Sequence, residues 1–174
     1  MVQLMRRAAV AFSLALVALP AQAASIPVFE EPNALLEAIY HQYDLYGATD
    51  DYDPADYFED EEAYSLKLTA LLDSANEKFW AAGNEMGALD FSPFISGQDT
   101  GGLDYVVHDA KIKGSRAVTD VDILLEGAPL HTITFHFVHE GAERGWKVDD
   151  VLLPNGDSEG SWPLSEYLAD PFIP

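Results

Sequence analysis

The sequence predicts an α+β fold, in which two N-terminal helices pack on a curved, four-stranded antiparallel meander and a short helix closes the chain. Apolar residues recur at helical spacing in two early stretches. Four strand-like runs with hairpin-sized connections follow residue 103. The segment WPLSEYLA, residues 162–169, then suggests the short final helix. Helices and strands that are segregated along the chain in this way are typical of α+β proteins.

Residues 1–23 have the pattern of a secretory signal peptide. Arg6 and Arg7 precede an apolar run over residues 8–19, and the segment Ala21-Gln22-Ala23 fits the small-x-small cleavage rule. The apolar run is about 12 residues long, which is too short to cross a bilayer of ~30 Å as a helix. This length disfavours the alternative, an uncleaved membrane anchor.

Cleavage after this segment would produce a mature chain that begins at Ala24. We expect a periplasmic or secreted protein with a single domain over residues 24–174 and no membrane contact after cleavage. The absence of cysteine removes disulfides, thiol catalysis and zinc–thiolate sites. About 150 residues can nevertheless bury roughly two thirds of their unfolded surface, which is enough for one stable domain.

The charge balance is strongly acidic. The chain has 9 Lys and Arg against 30 Asp and Glu, for a net charge of −21. Loss of the leader would remove two arginines and no acids. Such a surface repels phosphate backbones and anionic lipids, so we expect no nucleic-acid binding. The charge favours cations, basic protein surfaces or simple solubility.

The first helix is predicted over residues 32–46, with Pro32 in its first turn and Gly47 as its stop. Eight acids then crowd residues 50–62, which we expect to be a solvated loop or the exposed start of the second helix. Gly83 is the expected end of the second helix. The apolar stripes of the two helices are Leu35, Leu36, Ile39, Tyr40, Tyr43 and Tyr46, and Tyr64, Leu68, Leu71, Leu72, Ala75 and Phe79.

A loop with Pro93 and Gly97 precedes the predicted meander. Its four strands are predicted over residues 103–113, 115–126, 129–139 and 145–153.

Three segments also resemble a known family. They are Tyr64-Ser65 with Leu68, the loop Asp90…Pro93-Phe94…Gly97-Gln98-Asp99, and the strand Gly145-Trp146-Lys147-Val148-Asp149-Asp150-Val151. With these segments the chain resembles the nuclear transport factor 2-like superfamily, and within it a family of secreted bacterial proteins of unknown function. The resemblance covers roughly residues 33–170. It implies a cone-like sheet wrapped around helices, and it implies no established activity.

Asp150 is the one catalytic candidate. Strict alternation would place it on the same strand face as Trp146, Val148 and Leu152, opposite Asp149. If that face lines an apolar cone, desolvation would raise the pKa of Asp150 and make it a candidate base. The alternative is a structural aspartate that pairs with a cation or with backbone amides.

Gln98, Asp99, Trp146 and Asp150 are the candidate ligand-binding residues. Gln98 and Asp99 could form the rim of a pocket. The structural alternative is that Asp99 accepts backbone amides of the turn Thr100-Gly101-Gly102.

No cofactor and no metal are expected. The segment Asn155…Glu166 places oxygen-bearing side chains at positions 1, 3, 5 and 12 of a calcium-type loop and glycine at position 6. The segment differs from the usual calcium-binding loop in four ways. It has Asn at position 1, Glu at position 5 and Trp at position 8, and no long helix precedes it. A polar turn explains the segment equally well. The weak metal candidates are Asn155, Asp157, Glu159 and Glu166.

These observations favour an exported, soluble, non-catalytic module that binds a small ligand or a protein partner. Two alternatives stay open at this point. One is an immunity or inhibitor protein that neutralises a basic toxin or hydrolase. The other is an isomerase- or dehydratase-like enzyme that uses Asp150 as its base.

Overall fold

The structure, a computed structural model, describes residues 26–48, 58–156 and 160–171. The predicted signal peptide and most of the acidic run therefore lie outside the described residues. Three helices are present in this part of the chain: α1 (Pro32–Ala48), α2 (Leu66–Ala81) and α3 (Leu164–Ala169). A short 3-10 helix, Asp60–Ala63, precedes α2. No described helix is long and apolar enough to cross a membrane.

The strands form one open, antiparallel sheet. The strands are β1 (Leu103–Val107), β2 (Lys111–Lys113), β3 (Arg116–Leu125), β4 (Ala128–His139), β5 (Trp146–Pro154) and β6 (Ser161–Pro163). Their order is β1-β3-β4-β5-β6, and β2 also pairs with β3. The α+β class and the antiparallel pairing are thus confirmed, whereas the described part of the chain forms a sheet of six strands and not four.

The two additional strands have local causes. Residues 103–113 were predicted as one strand, but pairing with β3 stops after Val107 and resumes at Lys111 with a shifted register. The Thr119 hydroxyl donates to the carbonyl of His108 at 2.6 Å within this break. The strand β6, near the C-terminus, pairs with the end of β5 immediately before α3.

The start of α2 is fixed by Ser65. This residue has extended backbone angles, and its hydroxyl accepts the amide of Leu68, as an N-cap residue does. Tyr64 consequently lies before α2 and forms a bridge to Val148, instead of opening the helical stripe as predicted.

The core lies between the helices and one face of the sheet. Tyr40 of α1 stacks on Tyr105 of β1 with ring centroids 4.3 Å apart. Phe94, in the loop before β1, stacks between Tyr64 and Phe135 at 6.0 and 5.5 Å. Trp146 and Phe135 are buried, as predicted.

A β-bulge in β5 changes the predicted face of Asp150. The register pairs His136 with Asp150 and Phe137 with Val148, so Asp149 is an extra residue. Val148 and Val151 are both fully buried, whereas Asp150 is partly exposed. The predicted grouping of Asp150 with Val148 was therefore wrong, because strict alternation does not hold across a bulge.

Candidate functional site

A cleft of about 390 Å³ opens between α1, the 3-10 helix and the loop before β1. We call it the acidic cleft, because four of its described lining residues are carboxylic acids and none of these described residues is basic. Its lining consists of Tyr43, Glu59, Asp60, Glu61, Leu89, Asp90, Phe91, Ser92, Ile95, Gly97, Gln98 and Thr100.

The loop side of the cleft is held by the buried Phe94. Ser92 and Gly97 exchange backbone hydrogen bonds at 2.9 and 3.4 Å, which closes a tight turn around this residue. The hydroxyl of Tyr40 donates to the carbonyl of Phe94 at 2.7 Å. The amide of Phe94 donates to the Ser92 hydroxyl oxygen at 3.3 Å, so the position of Ser92 follows from the anchored ring.

Asp60 is the polar centre of the acidic cleft. Its Oδ2 accepts hydrogen bonds from the hydroxyl of Tyr43 and from the hydroxyl of Ser92, the latter at 3.0 Å. The two hydroxyl oxygens lie 2.8 Å from each other. The other carboxylate oxygen, Oδ1, is buried and has no hydrogen-bond partner among the described residues.

The environment of Asp60 raises its pKa above the ordinary value of an aspartate. Burial raises the pKa of Asp60 and outweighs the hydrogen bonds from Tyr43 and Ser92, which act in the opposite direction. The neighbouring charges of Glu61 and Glu59 raise it further. Burial, followed by the charge of Asp60, also raises the pKa of Tyr43, so the phenol remains a hydrogen-bond donor. The arrangement can accept a hydrogen bond or hold a proton inside the cleft.

The two predicted loop residues have different positions. Gln98 is exposed and lines the acidic cleft, as a rim residue would. Asp99 does not line it, and its Oδ1 accepts the amide of Gly101 at 2.8 Å. This hydrogen bond is of the kind expected if Asp99 stabilises the turn Thr100-Gly101-Gly102 and does not bind a ligand.

Trp146 lies away from the acidic cleft, at the start of β5. Its indole Nε1 donates to the carbonyl of Glu30 at 3.0 Å, and its backbone amide donates to the carbonyl of Phe29 at 3.0 Å. The buried Trp146 therefore holds the segment that contains Phe29 and Glu30, which precedes α1, against the sheet.

Asp150 is also outside the acidic cleft. Its Oδ1 accepts the amides of Val151 and Ser165, both at 2.9 Å, and its Oδ2 accepts the hydroxyl of Ser165 at 2.5 Å. Both carboxylate oxygens are thus engaged at the start of α3.

The adjacent Asp149 is part of an ionic cluster. It accepts the Ser65 hydroxyl at 2.9 Å and Arg116 Nη1 at 2.8 Å, and Lys67 Nζ lies 3.8 Å away. Burial alone would raise the pKa of Asp149, but these partners bring it below its ordinary value. The cluster joins α2, β3 and β5.

Only two of the four weak metal candidates lie within the described residues. Asn155 and Glu166 are both exposed, and Asp157 and Glu159 lie outside the described part of the chain. Within the described residues, no group of three or more His, Asp or Glu side chains could hold a metal ion.

Sequence reasoning did not identify the residues that meet in the acidic cleft. Tyr43 has the spacing of a core residue or, in a cone-like fold, of a residue that lines the cavity, and Asp60 lies in a run that is predicted to be solvated. Their separations are 17 residues for Tyr43 and Asp60 and 32 residues for Asp60 and Ser92. A local sequence motif cannot identify residues that are this far apart in the chain.

Comparison with known proteins does not place the chain. No protein-family model matches it. No curated protein and no solved structure matches it either. The resemblance to the nuclear transport factor 2-like superfamily therefore stays a prediction.

Proposed function

We propose that the protein is an exported, non-catalytic module that binds a small ligand in the acidic cleft. The observation that carries the proposal is Asp60, which has one carboxylate oxygen held by Tyr43 and Ser92 and a second that is buried without a partner among the described residues. An unsatisfied buried polar group costs about 1–3 kcal/mol. A ligand that brings a hydrogen-bond donor to this group would recover that free energy.

The size and composition of the acidic cleft support the same conclusion. Its volume of about 390 Å³ lies in the range of small-molecule sites. Leu89, Phe91 and Ile95 supply apolar surface beside the polar centre. The surrounding carboxylates favour a ligand with a positive charge over a neutral one of the same shape.

The cone-like arrangement of the nuclear transport factor 2-like superfamily is part of this proposal. Tyr40 stacks on Tyr105 where α1 meets β1. Behind the acidic cleft, a void of about 20 Å³ is lined by Tyr43, Ile95, Thr100, Leu103 and Tyr105. These contacts between α1 and the sheet support the cone-like arrangement, while the void itself has room for about one water molecule.

Benzylamine and benzyl alcohol form a suitable pair of probes, because they share a ring and differ in charge. In NMR titrations of the ¹⁵N-labelled protein, both should shift the amides of residues 89–100, and benzylamine should bind at least tenfold more tightly. Asp60→Asn should reduce benzylamine binding at least tenfold, while the exposed Asp73→Asn should not. Absence of shifts in this loop, or equal binding by the Asp60 variant, would overturn the proposal.

A second candidate function is neutralisation of a basic protein. Glu59, Glu61 and Asp90 are exposed around the acidic cleft, and the whole chain has a net charge of −21. Such a surface steers a cationic partner towards the cleft. Affinity capture from the native host, followed by mass spectrometry, should then recover a basic toxin or hydrolase that is released by salt. A neighbouring toxin gene would favour this candidate.

The enzymatic alternative finds little support at Asp150. Three hydrogen bonds occupy its carboxylate, and it does not line the acidic cleft. A general base must reach the proton that it removes. If a substrate were found, unchanged turnover by Asp150→Asn would end this alternative.

A further inference from the structure

A second cavity, of about 420 Å³, lies on the other side of the 3-10 helix. We call it the Lys147 pocket. Among the described residues, it shares only Glu61 with the acidic cleft, and its lining combines apolar side chains with charges of both signs. The lining residues are Ile26, Val28, Glu61, Glu62, Tyr64, Leu66, Thr69, Glu143, Arg144 and Lys147.

Lys147 is a buried lysine with unused hydrogen-bonding capacity. Only 3% of its surface is exposed, and its Nζ donates to the carbonyl of Glu62 at 2.8 Å. An ammonium group has three donors. Two of them therefore have no partner among the described residues. Burial lowers the pKa of Lys147 and the charge of Arg144 adds to this effect, while the charges of Glu140 and Glu62 act in the opposite direction.

The position of Lys147 is set by the backbone around it. The amide of Ser65 donates to the carbonyl of Val148 at 2.8 Å, and this bond draws residues 62–65 alongside β5. The ammonium group is thereby held at the Glu62 carbonyl, at the wall of the pocket. The free energy cost of burying it stays only partly compensated.

Arg144 is the second cation of the pocket. Its Nε donates to Glu140 at 2.6 Å, and its Nη2 donates to the carbonyl of Tyr64 at 3.3 Å. A guanidinium group has five donors, so donors remain for a ligand. The chain has only 9 Lys and Arg residues in total, and two of them line this one cavity.

The rest of the lining restricts the kind of anion. Val28 and Leu66 are 45% and 62% exposed, so they present apolar surface next to the two cations. The Glu62 carboxylate accepts the backbone amide of Glu59 at 3.3 Å and is engaged there. The exposed Glu61 and Glu143 repel any anion, and they disfavour a ligand with several negative charges more than one with a single charge.

We propose that the Lys147 pocket binds the carboxylate of a small aliphatic monocarboxylic acid, with the carboxylate at Lys147 and Arg144 and the hydrocarbon chain against Val28 and Leu66. The carboxylate accepts the unused donors of the buried ammonium group, and the chain covers exposed apolar surface. This site is independent of the function proposed for the acidic cleft.

Octanoate and its uncharged analogue octanamide test this proposal by isothermal titration calorimetry on the mature protein at low ionic strength. Octanoate should bind at least tenfold more tightly than octanamide. Lys147→Met, which keeps an apolar chain of similar length and removes the charge, should weaken octanoate binding at least tenfold. The matched control is Lys113→Met on the exposed strand β2, and this variant should bind octanoate as tightly as the parent protein does.

A second measurement uses the parent protein, in case Lys147→Met does not fold. The ¹⁵Nζ resonance of Lys147 should titrate at higher pH when octanoate is bound, because the bound carboxylate stabilises the ammonium form. Equal affinity for octanoate and octanamide, or an unchanged titration of Lys147, would overturn the proposal. Asp60→Asn should not affect octanoate binding. The proposal for the Lys147 pocket can therefore fail or hold independently of the proposal that the acidic cleft binds a ligand.

Discussion

The carboxylate of Asp150 accepts both the backbone amide and the hydroxyl of Ser165, at 2.9 and 2.5 Å. Ser165 is the second residue of α3, and Pro163, which precedes this helix, provides no side-chain cap. Asp150 thus takes the place of a capping residue from a neighbouring strand. The N-terminus of α3 is therefore stabilised by a residue that lies 15 positions earlier in the chain.

Replacement of Asp150 by alanine should therefore destabilise the protein without the need to invoke catalysis. Loss of a capping side chain costs about 0.5–2 kcal/mol. We expect Asp150→Ala to lower the free energy of unfolding by about 1–2 kcal/mol in urea titrations at neutral pH. The exposed Asp73→Ala on α2 serves as the control. A variant as stable as the parent would contradict the capping role.

Gly145 should tolerate alanine much less well than Gly114 does. Both glycines have positive φ angles, 64° and 62°. The free energy cost of placing alanine in this left-handed backbone conformation is therefore similar at the two positions, about 1–2 kcal/mol. A Cβ at Gly145 would lie 2.4 Å from the carbonyl oxygen of Phe29, whereas one at Gly114 meets nothing within 4 Å.

Gly145→Ala should thus cost about 1–3 kcal/mol more than Gly114→Ala, from forced overpacking. Urea unfolding of the two variants measures the difference. Equal losses would show that Phe29 is not held against Gly145.

The stability of the protein should depend on pH through Asp60. Burial raises the folded-state pKa of Asp60 above its unfolded value of about 3.9. The folded state then binds the proton more tightly, so the free energy of unfolding decreases as pH rises from about 4 towards the folded pKa.

Asp60→Asn removes this titration. The stability of the variant relative to the parent should therefore increase with pH across that range, as measured by urea unfolding in steps from pH 4 to 7. Asp73→Asn should show no such trend. A difference that does not vary with pH would contradict the raised pKa of Asp60.

The helices and the antiparallel strands could be predicted because periodicity is a local signal. Leu35, Leu36, Ile39 and Tyr40 recur at helical spacing, and all four are fully buried. The bulge at Asp149 could not be predicted, because the extra residue is defined by the pairing with β4 and not by the sequence of β5.

The acidic cleft could not be predicted from the sequence for a related reason. A run of acids indicates a solvated surface on average, yet Asp60 within that run is drawn to Tyr43 and Ser92. Which single acid is withdrawn from solvent depends on tertiary contacts. Gln98 could be named as a candidate rim residue because the proline and glycine of its loop already indicate a surface turn, and it lines the acidic cleft.

Export stays a prediction that mass spectrometry can check. When the protein is expressed in a native-type host, the recovered chain should begin at Ala24, because Ala21-Gln22-Ala23 fits the cleavage rule. Intact-mass analysis distinguishes this product from the full chain. A full-length protein held in the membrane fraction would refute cleavage.

The bulge residue Asp149 also bears on the order in which the fold assembles. The ladder between β4 and β5 skips this residue, so its side chain is free to reach Ser65, 84 positions earlier, and Arg116, 33 positions earlier. Contacts between such distant segments form only after the large entropy loss of bringing them together. The Asp149 cluster should thus close late, after the rate-limiting barrier. Its strength would then set how slowly the native protein unfolds and have little influence on how fast it folds.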